Sequence, residues 1–199
     1  MTGSEPNWDV RSQLTGPMRL VFSPAEEFLA CVGAGFAEVY TVRTAELVFG
    51  GTDERLLSVC AAFSPDGQLL ALGGTDRSVR VYETGSWAER ARFGHDSAVW
   101  CVAFSPDGRL LASGTDLRTA HVWDLGTGQE RVRLHHAGAV LDLAFGPGGT
   151  TLLTGSQDGT AQLWPIATER LVAMARARAT RKLDAEERER FLIGTEVQG

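Results

Sequence analysis

The sequence predicts an all-β fold assembled from repeated four-stranded units, and three observations carry that prediction. The first is a period. Pro24, Pro65, Pro106 and Pro147 stand 41 residues apart, as do Tyr82, Trp123 and Trp164, and as do His95 and His136. The second is turn chemistry. Ala62-Phe63-Ser64-Pro65-Asp66-Gly67 recurs as Ala103-Phe104-Ser105-Pro106-Asp107-Gly108. Weaker copies are Ala144-Phe145-Gly146-Pro147-Gly148-Gly149 and Val21-Phe22-Ser23-Pro24. In the full copies proline presets φ, and glycine accepts a positive φ where the next strand begins. The third is alternation. Ser78-Val79-Arg80-Val81-Tyr82 and Thr119-Ala120-His121-Val122-Trp123 alternate with period two, as half-buried strands do.

Taken in order, residues 1–15 form an N-terminal segment, 16–50 a degenerate first unit, 51–93 a second, 94–134 a third and 135–166 a fourth. The first unit lacks the His and Trp markers and is one residue short before Tyr40; the second has Tyr82-Glu83 at its end and no Gly-His. In the third, strands are expected at 98–104, 109–114, 119–124 and 129–134. Turns there fall at Pro106-Asp107-Gly108, Thr115-Asp116-Leu117 and Gly126-Thr127-Gly128. Four strands in about 41 residues is the content of one propeller blade. The fourth unit ends at Trp164-Pro165, after which residues 168–176 carry no turn signal and are rich in helix formers. Asp184 with Glu187 makes a capping box that opens a second short helix through Phe191-Leu192, so 167–199 reads as a helical tail. That tail takes the place of a fourth strand in the last unit. Residues 8–14, from Trp8-Asp9 onward, either supply the missing strand or form a frayed end.

Composition narrows the function classes. With 43% hydrophobic and 22% charged residues the chain has ordinary globular composition, which excludes a mainly disordered protein. No apolar stretch is long enough for a membrane-spanning helix, and the first residues show no basic region leading into an apolar core. A net charge of -6 argues against nucleic acid, whose phosphates need clustered Lys and Arg. The basic run at 176–182 is offset locally: residues 165–199 carry seven Lys or Arg against six acids, and no aromatic side chain interleaves the run. Cys31, Cys60 and Cys101 lie in no CxxC or CxxH pattern and read as buried thiols of a reducing, cytoplasmic compartment.

The spacing of Gly94-His95 and Val122-Trp123-Asp124, repeated from His136 to Trp164 over the same 28 residues, resembles the Gly-His to Trp-Asp unit of WD-repeat (WD40) β-propellers. The resemblance covers roughly residues 18–166, and the end of the chain is similar to the helical tail of bacterial WD-repeat proteins. It implies a propeller of about four blades, fewer than the seven usual in such relatives. That shortfall leaves open an incomplete ring or a second copy completing it. It also implies a non-catalytic scaffold that binds protein partners on one propeller face. The alternative is a C-terminal regulatory or sensor segment of a larger ATPase- or kinase-linked signalling protein; a hydrolase is a remote third reading.

The contact positions carried over from the resemblance are Ala98 and Trp100, Leu57 and Val59, Ala139 and Leu141 at the start of the innermost strands, with Thr75, Asp116 and Gln157 just before the turn-carboxylate position. Trp100 stands out, since an indole at a strand entrance suits a hot-spot anchor; its alternative is packing between blades. Asp158, His136, Thr154 and Trp164 invite a catalytic-triad reading. In WD repeats these positions instead form a structural chain from turn carboxylate to imidazole to hydroxyl to indole N–H, satisfying each buried polar group. The third unit keeps His95, Ser113 and Trp123 but has Leu117 in the carboxylate position, so its chain is expected to be incomplete. His135 and His136, adjacent on a strand, point to opposite faces and do not chelate one ion. No zinc-ligand spacing, Walker loop or nucleophile elbow is present, and the expectation is no cofactor, no metal and no catalysis.

Overall fold

The computed structural model describes residues 18–33, 36–50 and 58–166, and every regular element among them is a β-strand. Contacts divide the chain into two compact units, Met1–Trp164 and Pro165–Gly199. Of the second only Pro165 and Ile166 are described, so the helical tail, the segment at 8–14 and Leu57 lie outside the described residues.

Among the described residues fifteen strands form four sheets, each a meander of sequential neighbours. The first holds β1 (Met18–Phe22), β2 (Phe28–Gly33), β3 (Phe36–Thr41) and β4 (Leu47–Gly50). The second holds β5 (Ser58–Phe63), β6 (Leu69–Gly74), β7 (Ser78–Glu83) and β8 (Glu89–Gly94). The third holds β9 (Val99–Phe104), β10 (Leu110–Thr115), β11 (Thr119–Asp124) and β12 (Glu130–His135). The fourth has three strands, β13 (Val140–Phe145), β14 (Thr151–Ser156) and β15 (Ala161–Pro165).

The Ser-Pro-Asp-Gly signature builds its turn from both ends. Ser105 Oγ accepts from Leu110 N at 2.9 Å and donates to Asp107 Oδ1 at 2.6 Å, while Gly108 N closes on Ser105 O at 2.9 Å. Ser64, Asp66 and Gly67 repeat the arrangement between β5 and β6. Gly67 and Gly108 sit at φ 70° and 69°, the left-handed region their missing Cβ permits. The first unit makes the same turn with Glu26 at φ 53°, a conformation that strains a side-chain-bearing residue.

Period-two alternation decides what each face buries. Leu70, Leu72, Phe63 and Tyr82 of the second sheet pack on Ala30, Val32, Ala37 and Val39 of the first. Leu69, Ala71, Val79 and Val81, on the opposite face, pack on Val99, Val102, Phe104, Leu111 and Trp123 of the third. A sheet buried on both faces needs apolar residues in both registers, which is why β6 reads Leu-Leu-Ala-Leu-Gly-Gly without polar interruption.

Candidate partner-binding face and the buried polar chains

Three of the four innermost strands share one irregularity, while the β1–β2 register runs unbroken. Register shifts between Ser58 and Cys60 in β5, between Val99 and Cys101 opposite Gly114 and Thr115, and between Val140 and Asp142 in β13. The residue left over in each is Val59, Trp100 or Leu141. A bulge leaves one residue outside the ladder and re-aims its side chain. Of the nine positions the sequence marks for partner contact, three, Val59, Trp100 and Leu141, are the bulged residues.

Around them, Thr75, Asp116 and Gln157 are exposed. Asp116 N donates to Ala98 O at 3.0 Å and Gln157 N donates to Ala139 O at 2.8 Å, so turn and strand entrance are tied together in both blades. Leu141 is exposed, Val59, Ala98 and Trp100 are half-buried, and Trp100 Nε1 is buried with no hydrogen-bond partner among the described residues. Ala139 departs from expectation: it is buried, its methyl too short to reach solvent, and it joins the site only through its carbonyl.

The polar chains reverse what the turn carboxylates predict. In the third blade the chain forms without one. Trp123 Nε1 donates to Ser113 Oγ at 3.1 Å, and Ser113 Oγ lies 2.8 Å from His95 Nε2. His95 Nδ1 is 3.1 Å from Phe93 O, an acceptor only, so Nδ1 carries the proton and Nε2 accepts from the Ser113 hydroxyl. Burial first, and the nearby His121 second, hold the His95 imidazole down at about 4, which keeps this tautomer neutral. Leu117, in place of the carboxylate, is exposed and its N–H finds Ser97 Oγ at 3.0 Å.

In the fourth blade the carboxylate is present but the imidazole is not reached. Asp158 accepts from Thr160 N at 2.8 Å, Thr160 Oγ1 at 2.6 Å and Ala137 N at 3.2 Å, contacts that pull its carboxyl down to about 2. Trp164 Nε1 donates to Thr154 Oγ1 at 2.9 Å, and Thr154 Oγ1 donates onward to Gln162 O at 3.3 Å. No Thr154 proton remains for His136, whose two ring nitrogens are buried without hydrogen-bond partners among the described residues, while the ring stands edge-on to Trp164. A hydroxyl that neither faces nor activates through its imidazole is not a triad nucleophile.

A second network was missed from the sequence. His121 is buried, stacks on Trp123 at an interplanar angle of 7°, and lies 2.9 Å from Thr119 Oγ1 and 3.1 Å from Glu130 Oε1. Glu130 also takes Arg133 in a two-pronged contact at 2.9 Å on each prong. The available signal was parity: His121 lies on the same strand face as Thr119 and Trp123, two residues to either side.

The two chains give opposite expectations for one substitution. His95→Phe is expected to lower unfolding free energy by about 1–3 kcal/mol, because it strands the Ser113 hydroxyl. His136→Phe is expected to cost under about 1 kcal/mol, since it removes two unsatisfied nitrogens. Urea unfolding midpoints of the two variants check this, and equal losses would contradict it.

Four stacked meanders of this kind, with a bulge in the inner strand of at least three, define a β-propeller repeat protein. The family model described as WD40, WD domain, G-beta repeat, matches residues 45–83, 88–124 and 128–165, and the chain belongs to this family. Each match begins just before or within the region of an outermost strand and ends on the third strand of the next sheet, one strand out of step with the blades. A chain in a solved structure titled "Crystal Structure of Mitotic Checkpoint Complex" is similar in fold, with 21% identity and a TM-score of 0.68. The match covers 74% of this chain and 50% of that one, so this chain spans about half its length. No curated protein matches the sequence.

Proposed function

We propose that this protein is a non-catalytic scaffold that binds a protein partner on the face carrying Val59, Trp100 and Leu141, flanked by Thr75, Asp116 and Gln157. The observation that carries the reading is the shared bulge, which places three apolar side chains in equivalent positions on successive rigid sheets. Rigid strands hold such side chains at low entropic cost, and Trp100 supplies the largest contact area among them. The reading places the protein in the cytoplasm, and three buried free thiols support that.

Peptides selected by display on the immobilised protein test the proposal. Trp100→Ala is expected to weaken their binding at least about tenfold while the melting temperature stays within a few degrees. Selected peptides that bind the variant as well as the parent would sink the reading. So would a variant that melts outright, since Trp100 would then be packing between blades.

A further inference from the structure

Blade-to-blade packing in this chain is one interface used more than once. At the seam between the second and third sheets, a Cβ built on Gly73 would lie 2.8 Å from Val99 Cγ1. At the next seam, a Cβ on Gly114 would lie 2.7 Å from Val140 Cγ1. The inner strand of each sheet therefore lies against the glycine of the sheet before it. Around Gly73 the receiving face presents Ala71, Val79 and Val81, and around Gly114 it presents Ala112, Ala120 and Val122, all buried.

The fourth sheet repeats these positions as Leu153, Ala161 and Leu163 around Gly155, and no described residue packs over that face. Leu153 is 45% and Leu163 67% exposed, and a Cβ on Gly155 would meet only Asp142, at 3.9 Å. The strand that would fill this face is also on the page. β1 carries Leu20 and Phe22 where β9 carries Val102 and Phe104, which are buried in their seam. Leu20 is 59% and Phe22 56% exposed. Their cross-strand partners Cys31 and Leu29 are already buried, so the free part of that face is β1 itself.

The described residues thus hold an unfilled receiver and an unfilled donor of the interface they use internally, and the two do not fill each other within one copy. We propose that the open face of the fourth sheet receives β1 of a second copy, so that two copies associate head to tail. Two copies of the described residues bring eight sheets, within the range in which propellers close, whereas three would bring twelve. Asp142 stands where Cys60 and Cys101 stand in the internal seams. A carboxylate resists burial, which makes this seam weaker than those within the chain.

The test is the solution mass of the full chain by sedimentation, from about 1 to about 100 μM. A mass rising to twice that of the chain is expected. Leu163→Arg, which spoils the receiver, and Leu20→Asp, which spoils the donor, are each expected to weaken self-association at least about tenfold. Both positions are exposed, and unchanged circular dichroism melts verify the fold. Because each variant keeps the half that the other lacks, an equimolar mixture is expected to recover a two-chain species that neither forms alone. A monomer across the whole range overturns the proposal, as does a dimer indifferent to both substitutions. Loss of association with no recovery on mixing overturns the head-to-tail arrangement, since a face meeting its own kind, or a segment of its own chain, would give that result.

Discussion

Replacing Gly114 with alanine is expected to destabilise the fold by about 2–3 kcal/mol, the upper part of what overpacking costs. The added methyl would lie 2.5 Å from Cys101 Sγ, 2.7 Å from Val140 Cγ1 and 3.0 Å from Val140 Cβ. Valine is stiff about χ1 and cannot swing aside without moving β13. The comparison that isolates this cause is Gly155→Ala, the same position one blade later, where the nearest atom is 3.9 Å away. At protein concentrations where the chain is monomeric, that variant is expected to unfold at the parent midpoint or slightly above it, because alanine reduces the freedom of the unfolded chain. Urea unfolding of the two variants beside the parent decides the matter. Equal losses at both positions would place the cost in the strand backbone rather than in the seam.

Acid is expected to remove on the order of 3 kcal/mol of stability between about pH 6.5 and pH 4, through His95. Its folded-state pKa of about 4 lies below the ordinary 6.5, so within that window the unfolded chain binds more protons. Stability is therefore full above pH 6.5 and falls as pH drops toward 4. The structural event is specific: protonated Nε2 ceases to be an acceptor, and the Ser113 hydroxyl, already accepting from Trp123, loses the site for its proton. Burial lowers His121 and His136 in the same direction. Below pH 4 the loss continues as the turn carboxylates Asp66, Asp107 and Asp158, all held below their ordinary values, take up protons. Unfolding free energy measured against pH checks the slope, which is expected to flatten between pH 6.5 and 4 in His95→Phe. A parent protein equally stable at pH 4.5 and pH 7 would refute the assignment.

The strands of the third unit are legible almost to the residue: those expected at 98–104 and 119–124 run Val99–Phe104 and Thr119–Asp124. Proline and glycine fix where a hairpin reverses, and the reversal fixes where the next strand starts. Bulges were not legible, because a period-two pattern has the same appearance whether or not one residue is skipped in the ladder. Trp100, Val59 and Leu141 were reached by family resemblance, and the physical reason they stand outside the ladder came only with the register. The polar chains failed for a different cause. Asp158 is visible as a letter, but its preference for Thr160 and Ala137 over His136 depends on side-chain directions that spacing does not encode. The same holds for Glu130, which meets His121 nine residues away across an irregular pair of strands.

The two thiols at the seams have a kinetic consequence. Cys60 Sγ points at Gly73 O and Val99 O, at 3.5 and 3.8 Å, and Cys101 Sγ points at Val140 O, at 3.7 Å. Burial pushes the Cys60 thiol up to about 12 and raises Cys101 as well, so with the seams shut neither offers a thiolate at neutral pH. An alkylating reagent meets each sulfur only when its own pair of sheets parts. The protein carries, in effect, a stopwatch in each of its two later seams, and the order in which the two thiols are modified records which of those two pairs of blades lets go first.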